Sequence, residues 1–217
     1  MESRFRQRLA LAGLFFIALF VVSSFITTSP PSTHASAAKV VNFYHKHKNT
    51  EQVTSYLIEL AVFVGVIFYW HLRELLCTVV SNRRLATAGF AGVILFAATG
   101  GLNAGINWSL ADAVDHVSPD TMQTLNVLQN DLTPFLAGVG AAIFLACTGY
   151  LVVRSGVLPK WLGWVGLVLA LVSLVIPFLG ITGAALWTLI TSIVLLATKP
   201  TSASLQADPP LPPLPAV

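Results

Sequence analysis

The sequence predicts an all-α fold, a six-helix transmembrane bundle with the N-terminus and the C-terminus cytoplasmic, and three observations carry that reading. Hydrophobic residues make up 55% of the 217-residue chain and charged residues only 10%, against roughly 25% charged in soluble domains. Apolar windows close to the length of about 20 residues that crosses a bilayer core fall at residues 9–28, 53–72, 85–106, 132–153, 162–178 and 182–197. The basic residues are also distributed by loop. Arg4, Arg6 and Arg8 precede the first window, Arg73, Arg83 and Arg84 follow the second, Arg154 and Lys160 follow the fourth, and Lys199 follows the sixth. All of them share one side of the membrane when the N-terminus is cytoplasmic, as the positive-inside rule requires. Lys39, Lys46 and Lys48, in the first outer loop, are the exceptions. The net charge of +3 is therefore a topological signal, and no nucleic-acid partner is expected.

Each window has its own punctuation. The first follows a basic stretch and precedes Ala35-Ser36-Ala37, the grammar of a cleaved leader, but too long a segment separates the apolar run from Ala37, so a retained span is expected. Before the second window, Asn49-Thr50-Glu51-Gln52 offers a capping residue with Gln three positions on, which predicts a helix start there. Ser118-Pro119-Asp120 supplies an N-cap, a proline at the first helical position and an acid at the positive helix end. The fourth helix therefore starts near Pro119, with its first turns above the bilayer and Pro134 near the point of entry. Gly89 and Gly92, Gly101 and Gly105, Gly138 and Gly140, and Gly163 and Gly166 are spaced for close helix contact in lipid. Trp161 and Trp164 beside Lys160 form an aromatic anchor at the inner interface. Residues 1–198 read as one transmembrane domain, and residues 199–217, rich in proline, as a disordered cytoplasmic tail.

Phe43-Tyr44, His47-Lys48, Leu72-Arg73 and, most specifically, the stretch Arg154-Ser-Gly-Val-Leu-Pro-Lys-Trp-Leu-Gly-Trp-Val-Gly-Leu167 carry a resemblance. Residues 40–197 resemble a family of small, uncharacterised multi-pass integral membrane proteins of high-GC Gram-positive bacteria, a domain of unknown function. The resemblance implies a helical bundle in a bacterial plasma membrane. It implies no activity and no site residues, and Glu59 matches no acid associated with the family.

Read from the residues alone, Glu59 is the most informative position. It lies about 9 Å below the outer boundary if the hydrocarbon begins near Val53, where a carboxylate costs on the order of 2.5–3.5 kcal/mol at the helix centre and less toward the interface. Gln52, Ser55 and Glu59 share one stripe, and Asn103, Asn107, Asn126, Asn130 and Asp131 fall at similar depth on the third and fourth helices. Two expectations follow. One is polar glue between helices; the other is an outward-facing polar vestibule formed by Glu59, Asn103, Asn107, Asn126, Asn130 and Asp131, able to take a small polar ligand or a cation.

Nothing points to a cofactor or a metal. His45 and His47 are flanked by lysines, Asp112, Asp115 and His116 read as a solvated loop face, and Cys77 and Cys147 are isolated. The sequence has no H-E-x-x-H, no G-x-S-x-G and no phosphate loop, so the reading leans away from an enzyme. The expected function is that of a non-enzymatic membrane component, surrounded by the lipid bilayer and acting through self-association or another membrane protein. The alternative is a small transporter or binding protein built on the vestibule around Glu59.

Overall fold

The computed structural model describes residues 2–78 and 83–197. It contains six helices, α1 (Glu2–Ile26), α2 (Ala37–Cys77), α3 (Arg83–Asp112), α4 (Pro119–Ser155), α5 (Lys160–Val175) and α6 (Pro177–Ala197), and no strand among the described residues. Five of them are long and apolar enough to cross a membrane. The proline-rich tail expected at residues 199–217 lies outside the described residues.

The exception is α5, which has 16 residues, about 24 Å at 1.5 Å per residue. Sequence reading continued this helix through residue 178 on hydropathy alone. Pro177 decides otherwise: it has no backbone N–H and disfavours helical geometry in the residue before it. Ile176 accordingly sits at φ −133° and ψ 86°, and Pro177 opens α6 in place of the later start at residue 182.

The second correction concerns α2. Sequence reading placed a cap at residues 49–52, whereas the helix runs unbroken for 41 residues from Ala37, after Ser36 in extended geometry. Val40, Tyr44 and Glu51 at i, i+4 and i+11 are all buried. The lysines between them make the segment look like a loop, yet they occupy the other face of an amphipathic extension. In contrast, the start of α4 is as expected: Ser118 accepts from the Thr121 N–H at 3.3 Å and Pro119 takes the first turn.

Helices α1, α2, α3, α4 and α6 form a ring in which each packs on the next and α6 returns to α1, while α5 lies outside against α4 and α6. Arg73, Arg83, Arg84, Arg154 and Lys160 mark one end of the ring, the arginine end, and the α1–α2 connection marks the other. Near the arginine end the core is aromatic and aliphatic. Tyr69 and Phe144 meet at 4.6 Å between ring centroids, Phe144 and Trp187 at 5.5 Å, and the Trp187 indole donates to the Leu162 carbonyl at 3.0 Å.

Lipid supplies no hydrophobic expulsion between helices, so association rests on close packing. At the α3–α4 crossing, a Cβ on Gly92 meets the Phe144 nitrogen at 2.6 Å, and one on Gly140 meets the Phe96 nitrogen at 2.6 Å. Gly149 and Gly163 make the equivalent contact between α4 and α5. Gly105 differs, because a Cβ there meets nothing within 4 Å. Gly140→Leu is therefore expected to lower stability by about 1–3 kcal/mol through overpacking, while Gly105→Leu stays within about 0.5 kcal/mol of the native chain. Unfolding of the two purified variants in detergent checks the contrast.

Candidate functional site

The α1–α2 connection, residues 27–36, runs as a strap across the end of the bundle, and a buried carboxylate lies beneath it. Glu51 is 2% exposed. Its Oε1 accepts from the Thr28 hydroxyl at 2.8 Å and from the Thr28 N–H at 3.2 Å. Its Oε2 accepts from the Asn107 amide at 3.0 Å and from the Thr27 hydroxyl at 3.4 Å. A buried carboxylate is tolerated when its lone pairs are met in this way.

Asn107 is the hub. Its Nδ2 also lies 3.1 Å from Ser55 Oγ, while its Oδ1 accepts from the Tyr44 hydroxyl at 3.0 Å and from Gln129 Nε2 at 3.4 Å. One helix face explains the convergence. Tyr44, Glu51 and Ser55 lie on a stripe of α2 that meets Asn107 on α3, and Gln129 closes the group from α4. Around it packs a small core of Val40, Ile106, Leu110, Val114 and Met122.

The strap is tied down from α4. Asn126 donates to the Pro31 and Ser32 carbonyls at 3.2 and 3.4 Å, Asn130 to Pro31 at 3.3 Å and Gln123 to Ala35 at 2.9 Å. Asn103 lies deeper, donating to Thr133 Oγ1 at 2.7 Å and to the Gln129 carbonyl at 3.4 Å.

Of the residues expected in a vestibule, the structure joins Asn107 directly to the Glu51 cluster and connects Asn103 to it through Gln129. Asn126 and Asn130 are committed to strap carbonyls, and Asp131 is exposed. Glu59 is not brought to the cluster. Eight residues beyond Glu51, it is rotated by about 80° and lowered by about 12 Å along the helix. Its carboxylate is exposed and lies 3.5 and 3.6 Å from where a Cβ on Gly101 would stand. No hydrogen-bond or ion-pair partner for it exists among the described residues.

Tyr44, Glu51, Ser55, Gln129 and Thr133 were missed as a group. The signal was present: an α2 stripe continuing upstream of Thr50, and the i, i+4 pair of Gln129 and Thr133. At the membrane surface, His45 stands 3.4 Å from Asp115 and Lys48 3.9 Å from it, pinning the α2 extension to the α3–α4 turn. No group of three or more His, Cys, Asp or Glu side chains is arranged for a metal ion among the described residues.

The family described as "Domain of unknown function (DUF4386)" matches residues 11–205. The chain belongs to the DUF4386 family. No curated protein and no solved structure matches it. In this DUF4386 member, the stretch from Arg154 to Leu167 that carries the sequence resemblance forms the end of α4, the α4–α5 turn and the first half of α5. Gly156 adopts left-handed geometry with φ 67°, Leu158 is buried, and Pro159 precedes α5. These are structural duties.

Removing the hub leaves Glu51, Tyr44 and Gln129 short of partners. Asn107→Ala and Glu51→Ala are each expected to destabilise the protein by about 2–3 kcal/mol, as for a buried hydrogen bond to a charged group. Their double mutant should lose less than the sum by about 1 kcal/mol or more, since the two residues share a contact. Equilibrium unfolding of the four-member cycle measures both quantities.

Proposed function

We propose that this DUF4386 member is a non-enzymatic component of a bacterial plasma membrane that acts by receiving a partner transmembrane helix against the α2–α3 face at Glu59. The observation that carries the reading is an exposed carboxylate within the apolar stretch of α2, with no cation beside it among the described residues. Such a group is costly in lipid unless a partner neutralises it or bonds to it. Beside it, Gly101 is partly exposed and Gly105 is open, a shallow place where a second backbone can approach, as small residues permit in membranes. Tyr56 and Trp108 flank the groove toward the strap end, their ring centroids 5.3 Å apart.

Charge selects the partner. A second copy of the chain brings another carboxylate to this depth, not a cation, because the lysines and arginines of the sequence lie at the helix ends, in the loops or on the upstream extension of α2. A helix of a different protein carrying Lys or Arg at the depth of Glu59 satisfies the site. The arrangement of nine basic residues at the helix ends and loops supports a topology with both termini cytoplasmic, which puts Glu59 in the outer half of the bilayer.

The test uses a designed Leu/Ala transmembrane peptide with one lysine at that depth, co-reconstituted with the full chain in vesicles and read by energy transfer. Against the all-apolar peptide, binding should be tighter by about five- to thirtyfold, the equivalent of about 1–2 kcal/mol for an interhelical polar contact. Glu59→Gln should erase the difference and Gly105→Leu should block both peptides. Equal binding of the two peptides by the native chain, or self-association that persists in Glu59→Gln, contradicts the proposal. Both positions are exposed, so unchanged unfolding of the variants confirms that folding is intact.

A further inference from the structure

The five-helix ring surrounds a cavity of about 250 Å³, lined from α2 by Ile58, Ala61, Val62 and Tyr69, a different face of that helix from Glu59. Phe20, Ala61, Phe96, Ala137, Phe178 and Ala184 are among its apolar walls. Its polar lining is limited to Tyr69, Thr99, Asn103 and Thr133.

The hydroxyl protons of that lining are already committed. Thr99 donates to the Leu95 carbonyl at 2.7 Å, and Thr133 donates to the Gln129 carbonyl. Thr188 gives its proton to the Ala184 carbonyl at 2.8 Å, so in the short contact between Tyr69 and Thr188 the tyrosine is the donor.

The same bookkeeping orients Asn103. Thr133 Oγ1 has spent its proton on Gln129, and a carbonyl only accepts, so the Asn103 atom facing both of them is the NH₂. Its Oδ1 is turned away from them, and no donor reaches it among the described residues. The cavity thus offers a guest an acceptor without a donor of its own, Asn103 Oδ1, with Thr99 Oγ1 beside it on α3, and no cationic side chain.

We infer that this cavity binds an apolar molecule bearing one hydroxyl or amino group, which donates to Asn103 Oδ1 while its apolar body fills the space toward Phe96 and Ala184. A carboxylate or phosphate head is excluded because the lining holds no cation to offset the cost of taking its charge out of water. A hydrocarbon with no head leaves the amide oxygen unbonded in apolar surroundings, which is unfavourable. Water alone is a poor filling for the whole space, because beyond the neighbourhood of Asn103 and Thr99 the walls are apolar and give further waters too few polar partners.

The fold also gives such a molecule a way in from the lipid. The short α5 turns into α6 at Pro177, and Pro177 packs against Gly138 of α4, where a Cβ would meet it at 2.7 Å. The α5–α6 hairpin therefore stops about 12 Å short of Asn130, counted along α4. Above it, α1 and α4 do not pack on each other, and Phe178, a lining residue at the hairpin tip, is 71% exposed. The opening faces the bilayer laterally, so the guest is a membrane-dissolved amphiphile. This inference is independent of helix docking at Glu59, which uses the outer face of α2.

The experiment uses the full chain in lipid vesicles with three photoactivatable probes of one chain length: an aliphatic-diazirine octanol, the matching octanoate and the matching octane. Labelled peptides are mapped by mass spectrometry. The alcohol should label the cavity wall at α3 and α6 saturably, and native 1-octanol should compete with it. The octanoate and the octane should label there about tenfold less, the worth of one hydrogen bond. Asn103→Leu should bring the alcohol down to the level of the octane. Ala185→Phe, which fills the cavity from α6 without touching Asn103, should abolish labelling by all three. Labelling confined to lipid-facing positions such as Phe63 and Leu171, or equal labelling of the cavity by the three probes in the native chain, overturns the inference. Loss of peptide docking at Glu59 with cavity labelling intact, or the reverse, separates this inference from the proposed function.

Discussion

A carboxylate taken out of water has to be given hydrogen-bond donors, and the strap end of this bundle is organised around meeting that demand at Glu51. Four donors converge on it from the strap and α3. Supplying them requires α2 to extend well beyond the bilayer-spanning stretch, α3 to present Asn107 at the same height, and the strap to fold down over both. Gln129 and Tyr44 then complete the hydrogen bonding of Asn107, and the asparagines of α4 hold the strap carbonyls. The cluster works as structural glue: its polar groups are bonded to one another, and the strap covers them. In the low dielectric of the interior such a network is favourable only when its members are satisfied together.

The arginine end follows a different rule. There the helices meet through glycine backbones and aromatic edges, with few polar groups to satisfy. Close approach at Gly92 and Gly140, and again at Gly149 and Gly163, brings α3, α4 and α5 into a stack that side chains would hold apart. Rigidity at this end and hydrogen bonding at the other leave the middle of the ring as the place where packing is incomplete. The cavity lies there, beneath the polar cluster and above the aromatic core.

Against this background, two polar groups stand out because each adjoins a place that a second molecule can fill. The Glu59 carboxylate is exposed beside Gly101, and Asn103, whose amide oxygen has no donor among the described residues, lines the central cavity. The first calls for a cation or a donor from a neighbouring helix, the second for a donor on a guest inside the ring. They lie on different helix faces and answer to different chemistries, a helix surface in one case and a small amphiphile in the other.

Much of the architecture was legible from the residues. Composition and the spacing of apolar windows determine a helical membrane protein, because a bilayer admits few other ways to satisfy a backbone. Ser118-Pro119 announces the start of α4 by local capping chemistry alone. The end of α5 was legible too, since Pro177 stops a helix whatever surrounds it, but hydropathy drew attention away from it. The upstream extension of α2 was written in the Val40, Tyr44 and Glu51 stripe and hidden by the lysines between. Which polar residues meet was decided only by the tertiary structure. Glu51 and Glu59 are carboxylates eight residues apart on one helix; sequence reads the first as part of a helix start outside the span and the second as the acid inside it. A rotation of about 80° between them, set against the positions of α3 and the strap, buries one with four donors and leaves the other facing lipid. That outcome depends on how the helices are turned toward one another, a property of long-range packing that no local pattern contains.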